Sequence, residues 1–372
     1  MYPATPRILP PKTSRRRSAL AAFVVAGLAP VVALAENADA PREPEFTLKG
    51  LSLPGATGTV SLDYFAYEPR GRRLWVPASN TGKVILIDAR TDAVTSIDGF
   101  PTLEVDFKGK RPLVGPTSVA VGDGTVYVGN RGDSTICAIN ATTLKIGECV
   151  SVASRDAGMS AAPDSLTYVA ATRELWLTRG VPPLDIPSSD NAITVFDVSD
   201  PSRVKPKDKI ALGASAEGFA VDPRRGRFYT SLEEEGTTVA IDVHSHKIVA
   251  RWRSGCDEPH GVALDAIRGV LFVACKARVV AVDVGHDGRA LGSIETGAGL
   301  DNIDYLPAKH LLYAAAAEAA ALTVARVEES GALTRMQTVP TVRGARGVVV
   351  DPEGHAYLID PLGGRILKVS FR

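Results

Sequence analysis

The stretch VDPRRGRFYTSLEEEGTTVAID, residues 221–242, decides the fold. It joins the end of an apolar strand to an Asp-Pro turn, a second strand rich in aromatic and aliphatic residues, and a third strand that ends on Asp. Related stretches occur seven times, with equivalent turn positions at Glu68, Gly122, Ala170, Asp222, Asp265, Pro307 and Asp351. The spacings between these positions are 54, 48, 52, 43, 42 and 44 residues. A repeat of this length, made of short strands, is typical of propeller blades.

The repeat predicts an all-β fold, a seven-bladed β-propeller over residues 46–372 in which every blade is a four-stranded antiparallel sheet. The chain ends just after the third strand of the last blade. Its fourth strand can come from FTLKGLSL, residues 46–53, which precedes the first blade. This pairing would close the ring and leave no open sheet edge. A ring closed in this way needs no partner for stability, so we expect a monomer.

The first 35 residues have the pattern of a secretory signal peptide. They contain no acidic residue, and an apolar run that ends in Ala33-Leu34-Ala35 follows a basic segment. The basic residues are Arg7, Lys12, Arg15, Arg16 and Arg17. We therefore predict a signal peptide over residues 1–35, cleavage after Ala35, a polar leader over residues 36–45, and a mature protein in the periplasm or outside the cell.

An uncleaved membrane anchor is the alternative for this segment. The apolar run is about as long as a minimal membrane span, but Pro30 interrupts it and a cleavage-site pattern ends it. The pair Arg16-Arg17 leaves both twin-arginine export and the general secretory route open. The rest of the chain has no second long apolar segment, so we expect no membrane span after cleavage.

The charge balance argues against nucleic acid as a partner. The full chain has 42 basic and 42 acidic residues, and removal of the 5 basic residues of the signal peptide leaves 37 against 42, a net charge of −5. Proteins that bind nucleic acid need a net basic face. We therefore expect the partner to be a small molecule or another protein of the cell envelope.

Four cysteines fit an oxidising compartment. Cys137 and Cys149 flank a predicted hairpin, which would place them opposite each other on adjacent antiparallel strands. Cys256 and Cys275 bracket one predicted strand of the fifth blade. We predict the disulfides 137–149 and 256–275, although four cysteines permit three pairings.

The chain resembles the exported seven-bladed propellers of the YVTN (YncE-like) repeat family. The stretches that carry the resemblance are PHGVALD (residues 259–265), GLDNIDYLP (299–307) and GARGVVVDPEGHAYL (344–358). Strict Tyr-Val-Thr-Asn words are few, and YVGN at 127–130 is among the nearest. The resemblance implies the fold and export. It implies little about function, because propellers carry many unrelated activities.

Alignment of the blades predicts a polar ring at one mouth of the central channel. The residue five positions before each turn should face this mouth. The residues so placed are Asp63, Thr117, Ser165, Glu217, His260, Asn302 and Arg346, with Asp164 and Asp301 one position earlier. Loops between second and third strands open to the same mouth and add Arg131, Arg179 and Lys276. Concave sites with convergent polar groups are where ligands bind, but a water-filled channel also explains a polar ring without a ligand.

These residues support two functions. The first is a binding or scaffolding propeller of the cell envelope without chemistry of its own. The second is a lactonase-like hydrolase, in which Glu217 or Asp63 would act as base while His260 and Arg346 polarise the carbonyl. The chain lacks the Glu-Gly-Pro-x-Trp opening of gluconolactonase-like propellers.

No cofactor is predicted from the sequence. A divalent cation at the mouth is left open, because hard cations prefer several oxygen ligands. The candidate ligands are Asp63, Glu217, Asp301 and Asn302. No Cys-x-x-Cys-His haem-attachment motif occurs, so a redox propeller with covalently attached haem has no support. A noncovalently bound redox cofactor is left open.

Overall fold

The computed structural model describes residues 46–106, 109–152, 163–179 and 191–371. The predicted signal peptide and polar leader lie outside the described residues. The described chain forms seven four-stranded antiparallel sheets in a ring, and no α-helix occurs within these ranges. The predicted all-β, seven-bladed propeller is confirmed.

The first strand of the structure, β1 (Phe46–Ser52), precedes blade 1. Blade 1 contains β2 (Ala66–Glu68), β3 (Arg73–Ala78), β4 (Lys83–Asp88) and β5 (Val94–Asp98); a small hairpin of β6 (Leu103–Glu104) and β7 (Leu113–Val114) follows; blade 2 contains β8 (Pro116–Val121), β9 (Thr125–Asn130), β10 (Thr135–Asn140) and β11 (Ile146–Ser151); blade 3 contains β12 (Pro163–Val169), β13 (Glu174–Arg179), β14 (Ala192–Asp197) and β15 (Lys205–Ala211).

The remaining blades follow the same order along the chain. Blade 4 contains β16 (Ala216–Asp222), β17 (Arg227–Leu232), β18 (Thr237–Asp242) and β19 (Ile248–Arg253); blade 5 contains β20 (Val262–Asp265), β21 (Val270–Ala274), β22 (Arg278–Asp283) and β23 (Arg289–Glu295); blade 6 contains β24 (Leu300–Leu306), β25 (Leu311–Ala316), β26 (Ala321–Val327) and β27 (Leu333–Pro340); blade 7 contains β28 (Arg346–Val350), β29 (Ala356–Asp360), β30 (Arg365–Phe371) and β1.

The ring closes through the two ends of the propeller. Strand β1 pairs with β30 in antiparallel register from Phe46 opposite Phe371 to Ser52 opposite Arg365. The fourth strand of blade 7 therefore comes from the start of the domain, as predicted. Pairing along the whole of β1 covers an edge that would otherwise expose unpaired backbone groups.

The repeated Asp residues shape the turns that the sequence pattern contains. At the first turn of blade 4, Asp222 accepts hydrogen bonds from the backbone N–H groups of Arg224 at 2.9 Å and Arg225 at 3.0 Å. At the end of the third strand, Asp242 does the same for His244 at 3.1 Å and Ser245 at 2.8 Å. Such side-chain bonds to the backbone two and three residues ahead stabilise a tight turn. The Asp therefore recurs in turns that use these bonds, whereas Gly122, Ala170 and Pro307 hold the first-turn position in three other blades.

The apolar core lies between neighbouring blades. One cluster joins Trp176 of blade 3 to Phe228 of blade 4, whose ring centroids are 4.7 Å apart. Another joins Trp75 of blade 1 to Ile139 of blade 2. Both faces of each sheet are thus buried against other sheets, which explains why the third strands are apolar almost throughout.

Both predicted disulfides are present, Cys137–Cys149 and Cys256–Cys275. Cys137 and Cys149 are direct register partners on β10 and β11. The expectation that Cys256 and Cys275 bracket a single strand was wrong, because both β20 and β21 lie between them. The bonds are compatible with an extracellular protein.

Within the described ranges, no helix has the length and apolar character that a membrane crossing requires.

Ring closure can be tested with two leucines of β1. Leu51 is 4% exposed and packs in a cluster with Ile366, whereas Leu48 is 41% exposed. We expect Leu51→Ala to lower the free energy of unfolding by about 2–4 kcal/mol, because it leaves a cavity at the closure seam. Leu48→Ala should change it by less than about 0.5 kcal/mol. Denaturation with guanidinium measures both, and equal effects would show that β1 does not stabilise the ring through this seam.

Candidate functional site

The predicted ring residues do not all face the channel. Asp63, Glu217, His260, Asn302 and Arg346 are partly exposed at the channel end of their strands. Thr117 and Ser165 are instead buried. The Thr117 hydroxyl donates to the carbonyl of Gly115 at 3.1 Å, and the Ser165 backbone N–H donates to the Thr178 hydroxyl at 3.0 Å.

β-bulges lie beside both the buried and the channel-facing residues. The pairing of inner and second strands shifts register in five blades, between residues 116 and 118, 163 and 166, 217 and 220, 300 and 303, and 346 and 348. A bulge inserts a residue and re-aims the side chains beside it. In blade 3, Asp164 pairs with Arg131, whereas the Ser165 backbone N–H is bonded to the Thr178 hydroxyl. The offset from the turn therefore does not decide by itself which side chains face the channel.

Glycines permit the close approach of inner strands at this mouth. Gly218 has φ of +63°, and a Cβ at this position would lie 2.4 Å from the Cα of Gly261 in blade 5. A Cβ on Gly261 would in turn lie 2.6 Å from the carbonyl oxygen of Asp301 in blade 6. Contacts this short exclude any side chain. Glycine therefore allows blades 4, 5 and 6 to converge beside the charged residues.

Two ion pairs tie neighbouring blades together at the mouth. Arg346 of blade 7 donates to a carboxylate oxygen of Asp301 in blade 6 at 2.6 Å. Arg131 of blade 2 pairs with Asp164 of blade 3 and also donates to the carbonyl of Pro163 at 2.8 Å. The two arginines are therefore already engaged with carboxylates from adjacent blades.

Asp63 and Glu217 lack such a partner. Among the residues that the structure describes, no Lys, Arg or His forms an ion pair with either carboxyl group. Among the described residues, the one hydrogen bond to Glu217 is a long one, 3.5 Å, from the Tyr64 hydroxyl. The described cluster thus contains four carboxyl groups for two guanidinium groups, and the excess acid lies at Asp63 and Glu217.

Burial changes the protonation of both groups. Desolvation raises the pKa of Asp63 to about 7, with Arg346 opposing the shift and Asp164 and Asp301 adding to it. Desolvation raises the pKa of Glu217 to about 8, and the charges of Asp164 and Asp301 again add to it. Both groups therefore exchange protons near neutral pH, a property that is common at functional sites.

Tyr64 crosses the channel below this cluster. It belongs to blade 1, yet its hydroxyl meets Glu217 and its ring stacks on Phe219, with centroids 6.1 Å apart, and both of these residues belong to blade 4. Blades 1 and 4 are not neighbours in the ring. Burial and the nearby carboxylates raise the pKa of Tyr64 well above its ordinary value, so it stays protonated and acts as a donor.

A cavity of about 560 Å³ extends down the channel from Asp63. Its wall contains aliphatic side chains from the inner strands, the carboxyl groups of Asp63 and Asp304, and several aromatic rings. The aromatic residues are Tyr64, Phe65, Tyr67, Tyr168, Phe219 and Tyr305. Cavities of this size hold small organic molecules. The sequence did not predict the cavity or Asp304, because the blade alignment selects residues at only one level of the channel.

A second recess of about 640 Å³ lies outside the mouth. It is bounded by Arg346, by Asn80 and by the β6–β7 hairpin, through Arg111 and Leu113. The sequence analysis did not predict this hairpin. Its insertion between blades 1 and 2 accounts for the longest spacing of the repeat, 54 residues.

The other predicted residues lie around the rim. The His260 ring nitrogen is 3.9 Å from a carboxylate oxygen of Glu233, and its backbone N–H donates to Ala274 at 2.8 Å. Lys276 is exposed and lies 3.4 Å from Glu258. Arg179 ends β13 and is partly buried. Asn302 lines the cavity itself.

The four candidate metal ligands differ in whether they have a basic partner. Asp301 is bonded to Arg346, whereas Asp63, Glu217 and Asn302 have no basic partner among the described residues. Across the described ranges, no three His, Cys, Asp or Glu side chains form a group that could hold a metal ion. The cation site predicted from Asp63, Glu217, Asp301 and Asn302 therefore stays a prediction.

Comparison with solved structures shows the fold alone. A chain in the crystal structure of the mitotic checkpoint complex superposes with a TM-score of 0.65 at 12% identity, over 96% of this chain and 98% of that one. The structure of U3-55K gives 0.65 at 12%, over 87% and 98%. A streptogramin B lyase gives 0.61 at 10%, over 88% and 98%. At such low identity these likenesses carry no information about activity.

No protein-family model and no curated protein matches the chain.

The pKa of Glu217 can be tested through stability. A carboxyl group whose pKa is about 8 in the folded protein and about 4.3 when unfolded contributes less stability as the pH rises through this interval. We expect Glu217→Gln to match the wild type near pH 4.5 and to be more stable by roughly 1–3 kcal/mol at pH 9. Guanidinium denaturation at a series of pH values measures this difference.

Asp63→Asn provides the matched comparison. Its pKa of about 7 means that its advantage over the wild type should be complete at a lower pH than that of Glu217→Gln. If either difference stays constant with pH, that carboxyl group ionises as it does in water.

Proposed function

We propose that this protein is an exported β-propeller that binds a small molecule in its central channel. The observation that carries the proposal is the pair of unpaired carboxyl groups, Asp63 and Glu217, above a cavity of about 560 Å³. Unpaired ionisable groups are costly to bury. A ligand that satisfies them would offset part of this cost, whereas a channel filled only with water has no need of two extra acids.

Export is the second part of the proposal. It is supported by the signal-peptide pattern of residues 1–35, by the two disulfides, and by the resemblance to exported YVTN-repeat propellers. Disulfides persist in the periplasm and outside the cell and are rare in reducing compartments.

The N-terminus of the mature protein tests export. When the full chain is expressed in a Gram-negative host, we expect the protein in the periplasmic fraction with Glu36 as its first residue. Replacing Ala33 and Ala35 with Phe should block cleavage, because signal peptidase needs small side chains there. Arg16→Lys with Arg17→Lys should stop export only if the twin-arginine route is used. Uncleaved protein in the cytoplasm would contradict the proposal.

A hydrolase of the lactonase type is the second candidate function. The observation that favours it is that Asp63 and Glu217 have pKa values of about 7 and about 8, which suits general acid–base catalysis at neutral pH. The polarising groups would be Arg346 and His260, but Arg346 is bonded to Asp301 and His260 lies toward Glu233. Ligand binding therefore has the stronger support.

One screen separates the two functions. We expect small organic molecules to raise the melting temperature of the wild type, since a ligand at 100 times its Kd adds about 2.7 kcal/mol. Val349→Trp and, on another blade, Val221→Trp fill the cavity and should abolish this shift. Ile248→Trp, on the exposed outer strand β19, is the matched control.

Lactones belong in the same screen, with acid release recorded. Release that Glu217→Gln lowers at least 100-fold would favour the hydrolase. Shifts that persist in both cavity-filling variants would place the binding site outside the channel and overturn the proposal.

A further inference from the structure

The wall of the channel cavity is acidic and apolar at the same time. Among the described residues that line it, two are aspartates, Asp63 and Asp304, and none is Lys, Arg or His. The rest of the described wall is aliphatic, aromatic or neutral polar. A ligand inside the cavity therefore meets negative charge without any compensating positive charge from the wall.

The two aspartates lie at different depths. Asp63 precedes the inner strand of blade 1 at the mouth, whereas Asp304 lies in the middle of β24, further along the channel. Asp304 accepts the backbone N–H of Val350 at 2.8 Å and that of Tyr305 at 2.8 Å. These bonds fix the carboxylate in place but add no full positive charge. Burial raises the pKa of Asp304 to about 6.

The aromatic rings provide a second, independent feature. Tyr64 and Phe219 stack across the channel, and Phe65, Tyr67 and Tyr168 add further rings to the wall. The faces of aromatic rings attract cations as well as apolar groups. The arginines of the mouth do not compete for this space, because they are paired with Asp164 and Asp301.

We propose that the channel cavity binds an organic cation, a protonated amine attached to an apolar or aromatic body. The ammonium group would lie beside Asp63, or deeper beside Asp304, and the apolar body would pack against the aromatic wall. An anion would lie next to two carboxylates without a basic residue, and a neutral molecule would leave them unpaired. This inference rests on the proposed function, namely that the channel binds a small molecule.

Three probes of the same shape test the charge. They are 2-phenylethylamine, 2-phenylethanol and 3-phenylpropionate, titrated calorimetrically at pH 8 into protein purified after expression of the full chain. We expect the amine to bind at least tenfold more tightly than the alcohol and the acid. The alcohol tests whether a hydrogen bond to a protonated carboxyl group is sufficient.

Isosteric variants test whether the carboxylates inside the cavity bind the amine. At least one of Asp63→Asn and Asp304→Asn should weaken amine binding at least tenfold, and both should change the affinity for the alcohol less than threefold. Asp287→Asn, at an exposed turn of blade 5, removes the same charge outside the channel and should change neither affinity. Circular dichroism and melting temperature establish that each variant is folded, and two variants at separate positions keep the test decisive if one does not fold.

The outcomes separate this inference from the proposed function. The proposal of a cationic ligand would be overturned by equal affinity for the alcohol, by preference for the acid, or by amine binding that both Asp→Asn variants leave intact. If the cavity-filling variants still abolish shifts by other molecules, channel binding stands with a different ligand class. If they abolish none, the proposed function fails as well.

Discussion

Closure of the ring through β1 and β30 is the constraint on which the rest of the structure depends. Seven sheets that pack face to face reach a closed circle only if their inner strands converge, and convergence brings backbones together at the mouth. Gly218 and Gly261 permit this approach because a Cβ on either would strike the next blade. The narrow channel is therefore a consequence of closure.

A narrow channel has electrostatic consequences. Carboxyl groups that lie inside it lose much of their hydration, and the loss raises the pKa of Asp63, Glu217 and Asp304 in turn. At Asp164 and Asp301 an arginine pairs with the carboxylate and joins two blades, although burial still raises the pKa of Asp164. Positions without an arginine are left with protons that exchange near neutral pH. The ion pairs between blades and the raised pKa values of the carboxyl groups thus both follow from the narrow channel.

The fold could be predicted from the sequence because its determinants are local and repeated. Where a turn contains Asp, as at Asp222, the carboxylate accepts backbone hydrogen bonds within three residues, so the local sequence predicts a hairpin. The Ala-rich stretch YAAAAEAAALTVARV, residues 313–327, has high helix propensity but contributes to β25 and β26, since packing between blades overrides that propensity. The disulfide between Cys137 and Cys149 followed from the same hairpin register.

The site was predicted only in part because its geometry is not local. Glu217, Asp63 and Arg346 were found from their distance to the turn, but in blade 3 it is Asp164, not Ser165, that pairs with Arg131. Tyr64 reaches Glu217 across 153 positions of sequence, a contact that no spacing reveals. Nothing in the sequence distinguishes Asp304 from other polar residues of the strands.

The ion pairs at the mouth affect which of the two candidate functions, hydrolysis or ligand binding, the channel supports. A hydrolase needs a free electrophile to stabilise the charge that develops on the substrate oxygen. Here Arg131 and Arg346 are bonded to carboxylates of adjacent blades, so their use in catalysis would loosen contacts between blades. A cation that enters between Asp63 and Asp304 disturbs neither pair and supplies the charge that the cavity lacks. The ion pairs that join neighbouring blades therefore support the proposal of binding.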